Sequence, residues 1–538
     1  MYSSLKRVSL IAMALSVVAT ACDDDPVEPV DNDVAAITGL AASATTETSV
    51  TLSWTASPDA ANYTVQRQPV GGAFSEIASG VADVTYTDTG LTSGTVYNYR
   101  VIAVDSDGNA SDPSDPISVT TAGARRVDLV GNITGTRTLS ADTVYVLKGV
   151  VQVQDGAVLN VPAGTVVVGD KATQGALLVL RGGMLNATGT VTDPVIFTSS
   201  AAEGSRQKGD WGGVILNGRS NCNFPAGQCL GEGNTGVFGG TEPDDNSGTL
   251  TYVRIEWGGI EFSPDNELNG LTLNGVGSGT TLHHIQSHGG LDDGIEWFGG
   301  TVDLKYAVVT LASDDSFDWS TGWQGRGQFW IVQQDPEDGD EGWEIDNNEG
   351  DFEALPRTFA QIYNFTMIGR PGAAGAGSDH GILFRRGYSG NHSCGIVMGF
   401  GDPGLDIDDA ATERLANNDS LTLTETIFFD NGRNATGWAS PGINFDPDDD
   451  SQAGVTNFEE TWAMAVAKNN TLEDPMLTDP FNLADPDFSP MAGSPALASC
   501  TTVPNDGFFD VVDYRGAVAD ANDNWYKGWI TTELPAGS

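Results

Sequence analysis

Six residues recur down the middle of this chain and constrain everything else about its fold. They are Asp-Asp-Gly-Ile-Glu-Trp at 292–297, Asp-Asp-Ser-Phe-Asp-Trp at 314–319, Asp-Glu-Gly-Trp-Glu-Ile at 340–345, Asp-His-Gly-Ile-Leu-Phe at 379–384 and Asp-Pro-Gly-Leu-Asp-Ile at 402–407. Looser copies begin at Trp211, Trp257 and Ser440. The eight starting points lie 46, 35, 22, 26, 39, 23 and 38 residues apart, a floor near 22 with variable insertions. A fixed minimum with insertions marks a solenoid whose loops grow on one face. The fourth and sixth residues of every copy are apolar, from Val214 and Leu216 through Ile260 and Phe262, Ile295 and Trp297, Phe317 and Trp319 to Ile443 and Phe445. The fifth is often acidic, as at Glu261, Glu296, Asp318, Glu344 and Asp406. This in-out-in alternation predicts a half-buried strand.

A floor of ~22 residues is short for a helix-containing repeat and suits one turn of three short strands. Successive turns then stack at roughly 4.8 Å, with apolar columns inside and acidic ladders outside. On these residues the segment from Val127 to Asn444 resembles the right-handed parallel β-helix of the pectate-lyase-like superfamily, a likeness that implies a fold more strongly than an activity. Gly-Ala-Val-Leu at 156–159 and Gly-Ala-Leu-Leu at 175–178 repeat at a step of 19 and read as tight N-terminal coils. Their open edge needs a cover against edge-to-edge pairing. Residues 127–145 or the preceding domain are the candidates.

That preceding domain, residues 34–122, alternates apolar and polar positions in short runs, as an antiparallel sandwich does. Val50 to Trp54, Tyr63 to Arg67 and Tyr97 to Val104 are strand candidates, with Trp54 and Tyr63 in the core. Leu91 followed by Tyr97 resembles a tyrosine corner, and the whole segment resembles a fibronectin type III domain. The resemblance implies a spacer, or a module that contacts carbohydrate or protein. The expected fold is therefore all-β: the sandwich, a right-handed parallel β-helix over 127–455, and an irregular C-terminal cap over 456–538. Within that cap, Thr456 to Glu459 resembles a capping box opening a short helix, and Trp525 and Trp529 are expected to close the C-terminal edge.

The first 22 residues carry Lys6-Arg7, an apolar run over 8–18 and Ala19-Thr20-Ala21-Cys22. This resembles a bacterial lipobox, which implies a signal peptide over 1–21, cleavage before Cys22 and diacylation of its thiol. An ordinary secretory signal is the alternative. Residues 22–33 are acidic and Pro-containing, an extended disordered tether. The expected location is the cell envelope, at the outer membrane and surface-exposed, with the bilayer contacted only through Cys22. Setting Cys22 aside leaves four cysteines: Cys222 and Cys229, expected to pair because they share one short insertion, and Cys394 with Cys500 as the remaining pair.

Lys and Arg number 25 against 73 Asp and Glu, a net charge of −48 that argues against binding nucleic acid or an anionic membrane surface. Like charges one coil apart repel by about 0.9 kcal/mol in water and several-fold more in a less polar setting. Bound cations, hydrogen bonds to turn amides or raised pKa values must relieve this. Asp and Glu oxygens without His or Cys clusters suit Ca2+. The candidates are Asp292, Asp293, Glu296, Asp314, Asp315, Asp318 and Asp346, and the competing reading is that the leading Asp residues accept from turn amides. The carboxylate-rich stretch 335–351 has no EF-hand spacing. Asp446-x-Asp448-x-Asp450 imitates the start of such a loop, but Ser451 replaces the turn glycine and Asn457 the closing glutamate.

Polysaccharide lyases of the resembled superfamily combine Ca2+ carboxylates with a basic residue. Arg385 and Arg386 beside His380 form the basic cluster in the right region, and paired carboxylates such as Asp315 and Asp318 would suit glycoside hydrolysis. Trp323, Trp330 and Trp343 are candidates for stacking on sugar rings, although Trp343 falls in the inward column. The expected function is a lipid-anchored binding or structural surface protein with a polysaccharide or surface-matrix partner. A Ca2+-dependent lyase or hydrolase is the alternative, and an adhesin or filament subunit the third.

Overall fold

The computed structural model describes residues 34–69, 71–224, 229–261, 267–335, 338–370, 380–432, 444–446 and 457–537. The chain divides into two compact units, Met1–Ala124 and Arg125–Ser538.

In the first unit, strands Ala41–Thr45, Ser49–Ser53 and Thr85–Thr89 form one antiparallel sheet, and Ser75–Val81, Asn62–Pro69, Val96–Val104 and Ile117–Thr120 form another. Alternate residues of Val96–Val104 point inward, so Tyr97, Tyr99, Val101 and Ala103 are buried. Trp54 meets Tyr63 edge to face at 5.4 Å. Tyr97 Oη accepts from the Thr92 amide at 3.0 Å, closing the tyrosine corner. This is the expected fibronectin-type sandwich.

The second unit is one parallel sheet of 24 strands wound into a β-helix. Three faces run along it. Face A stacks Ala176–Val179, Val214–Asn217, Leu271–Asn274, Ile295–Phe298, Phe317–Ser320, Trp343–Ile345, Ile382–Phe384 and Asp406–Ile407. Its register places Ile295 beside Phe317 and Trp297 beside Trp319, as the recurring hexapeptide requires. From Gly248–Glu256 to Phe359–Ile368, faces B and C are joined in one strand per coil, one residue of which turns the corner at positive φ: Tyr252, His284, Tyr306, Phe329 and Asn364. In the next two coils Cys394 and Glu425 turn it between separate strands, and all seven φ lie between 49° and 61°.

Four expectations need correction. The copy at Trp257 is not a rung: Leu271–Asn274 holds that place, while Ile260 packs outside the main core with Ile215 and Leu268. The true rung was hidden because Asn269 and Thr272 stand where other copies carry acids. Phe262, Asp379 and residues 440–443 lie outside the described residues, but Phe445 joins the main core. Second, Trp323, Trp330 and Trp343 are fully buried and offer no sugar platform. They belong to a packed column in which Trp330 stacks on Phe317 at 4.6 Å and on Trp297 at 5.5 Å. Third, residues 127–145 do not cover the first coil. Arg125–Ile133 is part of it, paired in parallel with Thr143–Val153.

The fourth concerns the C-terminal region. Helix α1 (Ala410–Asn417) is capped by Asp409, whose carboxylate accepts from the Ala411 and Thr412 amides. Helix α2 (Phe458–Ala463) starts at Asn457 with no side-chain cap bond, and the Thr456 of the expected capping box lies outside the described residues. Phe458, Trp462 and Ala463 of α2 are what complete this end of the core. Trp525 and Trp529 do not. The tail runs back along the flank, where Phe488, Ala517, Tyr526 and Trp529 pack on Val308, Ile331, Ile368, Ile396 and Ile427. Glu533 reaches Arg206 at 2.8 Å. Disulfides join Cys222 to Cys229 and Cys394 to Cys500, the second tying the tail to the corner column.

Candidate functional site

Register on face A decides which side chains converge. The outward position of successive strands carries Thr272, Glu296, Asp318, Glu344, Leu383 and Asp406, so three acids follow one another up the helix. One residue before the rung glycine or serine come Asn269, Asp293, Asp315 and Glu341. Here the turn chemistry is explicit. Asn269 Oδ1 accepts from the Asp293 amide at 3.2 Å, Asp293 Oδ1 from the Asp315 amide at 3.0 Å, and Asp315 Oδ1 from the Glu341 amide at 2.8 Å. Each acid pegs the turn of the next coil. Asp292 and Asp314 flank these pegs, one half-buried and the other exposed.

Packing so many carboxylates together costs free energy whenever they ionise. Asp293, Glu296, Asp315 and Asp318 are pushed well above the ordinary carboxylate range, first by burial and then by neighbouring carboxylates, Asp292, Glu232, Glu341 and Glu344 foremost. Asp292 rises to about 8 for the same two reasons. Glu344 rises to about 7 through burial, with Arg385 pulling the other way. Glu232 rises to about 7 through burial and the nearby Glu267. Asn269 Nδ2 donates to Glu296 Oε2. One oxygen of Asp318 is buried without a hydrogen-bond partner among the described residues.

These groups line a cleft of about 450 Å3 walled by Glu232, Glu267, Asp292, Glu296, Asp314 and Asp318. It continues into one of about 700 Å3 whose lip carries Phe224 and Leu230 and whose far side carries Arg385 and Arg386. Asp292, Asp293 and Asp314 each bring an oxygen within 4.8 Å of the others, as do Asp293, Glu296 and Asp318. Donor sets made only of carboxylate oxygens fit a hard cation such as Ca2+.

Six of the seven candidate ligands therefore meet in one place. Asp346 stands apart, with Arg385 Nε at 2.7 Å from its Oδ1 and Arg386 Nη1 on its Oδ2. Arg385 also pairs with Glu344. Both arginines are held by carboxylates. The stretch 335–351 is no single site: Asp335 pairs with Lys208 at 2.9 Å, Glu341 and Glu344 belong to face A, and Asp346 faces the arginines. His380 lies between Glu341 and Asp446; burial pulls its pKa down, but Asp446 and Glu341 outweigh that and lift it to about 10. Asp448 and Asp450 lie outside the described residues. Sequence reasoning missed Glu232 and Glu267, which insertions deliver to the cleft. The one available signal was the cysteine pair that ends three residues before Glu232.

Residues 131–471 match the family described as pectate-lyase like beta helix domain, and residues 35–120 match the fibronectin type III domain. Among curated proteins, the chain is 47% identical over 87 residues to a poly(3-hydroxybutyrate) depolymerase of Ralstonia pickettii, covering 16% of this chain and 17% of that protein. It is 45% identical over 83 residues to exoglucanase B of Cellulomonas fimi, covering 15% of this chain and 8% of that protein. These matches lie in the fibronectin type III region alone, so the chain spans only a small part of those relatives. Among solved structures, an Fn3-like protein from Clostridium thermocellum is 35% identical, covering 15% of this chain and 86% of that one with a TM-score of 0.14. Its parallel faces in register, and a family match running from residue 131 to residue 471 of 538, make this chain a member of the pectate-lyase like beta helix domain family that also carries a fibronectin type III domain.

Proposed function

We propose that this protein is lipid-anchored through Cys22 at the cell surface, on the outer membrane, and that its β-helix binds carbohydrate or surface matrix at the acidic cleft of face A. Ca2+ held by Asp292, Asp293, Glu296, Asp314, Asp315 and Asp318 completes the cleft. Cys22 lies outside the described residues, so the anchor rests on sequence alone. The observation that carries the cleft reading is the convergence of these oxygens from successive coils into groups with donors within 4.8 Å. Ca2+ would offset the mutual repulsion that raises their pKa values. The relatives named above as a depolymerase and a glucanase share the fibronectin-type domain, which supports a polymer-directed role.

A calorimetric Ca2+ titration of the full chain in detergent, followed by a glycan array with and without chelator, tests this. Heat of binding and a higher melting temperature are expected, both lost in the Asp292→Asn, Asp314→Asn double variant. Silence in both measurements would remove the metal, and an array blank with Ca2+ present would remove the ligand. Cys22→Ser should move the protein from the membrane to the soluble fraction.

A second reading, a Ca2+-dependent polysaccharide lyase or glycoside hydrolase, is favoured by Glu344 and Glu232, whose pKa values near 7 suit proton transfer in a solvent-open cleft. Release of shortened or unsaturated sugars, abolished by Glu344→Gln or by Arg385→Ala, would establish it over simple binding.

A further inference from the structure

We propose that His380, Asp406 and Asp446 form a separate centre for one Zn2+ ion at the C-terminal end of face A. The inference does not rest on the acidic cleft, and either can fail alone. The three side chains come from successive coils. His380 precedes the rung Ile382–Phe384, and the Gly381 amide donates to Pro403 O of the next coil at 3.1 Å. Asp406 occupies the outward position of the last face A strand, aligned with Leu383. Asp446 is held one level further on, its amide donating to Leu405 O at 3.0 Å. Each contributes one donor atom, all within 4.8 Å of one another, and all three residues are half-buried.

Distances distinguish this group from an ordinary ion pair. His380 Nε2 is 3.4 Å from Asp446 Oδ2, and Nδ1 is 3.6 Å from Glu341 Oε1. Charge-assisted hydrogen bonds are about 2.7–2.9 Å, so both contacts are long, and Nδ1 is buried with no hydrogen-bond partner among the described residues. With bonds of roughly 2.0–2.1 Å, two ligands on a tetrahedral Zn2+ sit about 3.3–3.4 Å apart. The Nε2 to Oδ2 separation matches that edge, and the Asp406 oxygen lies within 4.8 Å of both. On the other side of the ring, Glu341 is placed to accept from Nδ1, the carboxylate–histidine–metal arrangement that orients a ligating imidazole. One nitrogen and two carboxylates are three ligands of a four-coordinate ion, with the fourth position left to a water. The imidazole is what separates this donor set from the oxygen-only groups of the cleft, and it favours a transition ion over Ca2+.

Titrating the full chain with Co2+ as the spectroscopic probe, then displacing it with Zn2+, tests the assignment. The visible absorption of four-coordinate Co2+ is expected at one equivalent, and Zn2+ should bleach it. His380→Ala and Asp446→Asn should each weaken Zn2+ binding by tenfold or more, while Asp292→Asn with Asp314→Asn leaves it unchanged. A six-coordinate Co2+ spectrum, or unaltered Zn2+ affinity in Asp446→Asn, overturns the proposal. The near-ultraviolet signal of the buried tryptophans reports the fold of each variant. If His380→Ala loses that signal, Asp446→Asn, which keeps the side-chain shape, decides alone.

Discussion

Asp315 is nearly fully buried, with one carboxylate oxygen on the Glu341 amide and other acids close by. Two demands meet on that side chain: an acceptor for the turn and, in the proposed function, a charge for Ca2+. Asn269 shows that the first demand needs no charge, because its amide oxygen does the same work for Asp293 one coil earlier. Asp315→Asn is therefore expected to leave the metal-free protein as stable as before, or more so above neutral pH, while weakening Ca2+ binding. Asp315→Ala strands the Glu341 amide and should lose ~1–3 kcal/mol. Urea unfolding with and without Ca2+ separates the two substitutions. Equal losses in Asn and Ala without Ca2+ would mean that the charge, and not the acceptor, holds the turn.

At the scale of the element, each rung of face A stands on its two inward residues, and the tryptophan column shows how much rests on them. Trp319 touches Trp297, Trp323, Trp330 and Trp343 through its ring. Trp319→Ala should cost ~3–5 kcal/mol by urea unfolding, since stacked strands on either side prevent the site from collapsing. A loss well below that would show that neighbouring rings relax into the space. The tail is held differently, by outward aromatics. Tyr252 stacks on His284 at 4.2 Å, His284 on Tyr306 at 4.4 Å and Tyr306 on Phe329 at 5.0 Å, with Trp529 against the first two. Trp529→Ala is expected to make residues after 516 cleavable under limited proteolysis while the core melts almost as before; resistance equal to the parent would show that Glu533 and the Cys394–Cys500 bridge suffice. The rungs were legible in the sequence because a period of two within a motif survives insertion between motifs. Trp257-Gly-Gly-Ile mimicked Trp211-Gly-Gly-Val closely enough to displace the true rung, whose Asn269 and Thr272 broke the acidic pattern. Nothing in the spacing could show that the tail folds back, because the contacts of Trp529 with Tyr252 and His284 join residues over 240 positions apart in sequence. Glu232 and Glu267 were illegible for the same reason: insertions have no register.

Across the whole molecule, titration has opposing contributions whose signs are set by burial. A carboxylate with a raised folded pKa contributes stability that is complete below its unfolded value near 4 and is lost as pH rises through the folded value. For Asp292 that loss runs from near 4 to about 8, and for Glu344 and Glu232 from near 4 to about 7. His380, raised to about 10, adds a loss of the same sign between its unfolded value near 6.5 and 10. The buried histidines act oppositely. Burial lowers His288 to about 4 and His392 to about 3, and burial with His283 lowers His284 to about 4, so the unfolded chain takes protons first and stability falls as pH drops below about 6.5. Above 6.5 His284, His288 and His392 are neutral in both states and the acids act unopposed; below it the two groups compete. The melting temperature should therefore decline steeply from pH 6.5 to 8.5 and change less between 6.5 and 5, giving a break near 6.5 in scanning calorimetry. Ca2+ in millimolar excess should flatten the alkaline limb, because a cation on face A compensates the ionised carboxylates without their protons, and Asp292→Asn with Asp314→Asn should flatten it without Ca2+. A melting temperature that climbs between pH 6.5 and 8.5 would mean that the face A carboxylates ionise at no cost, and the reason for a cation there would be gone.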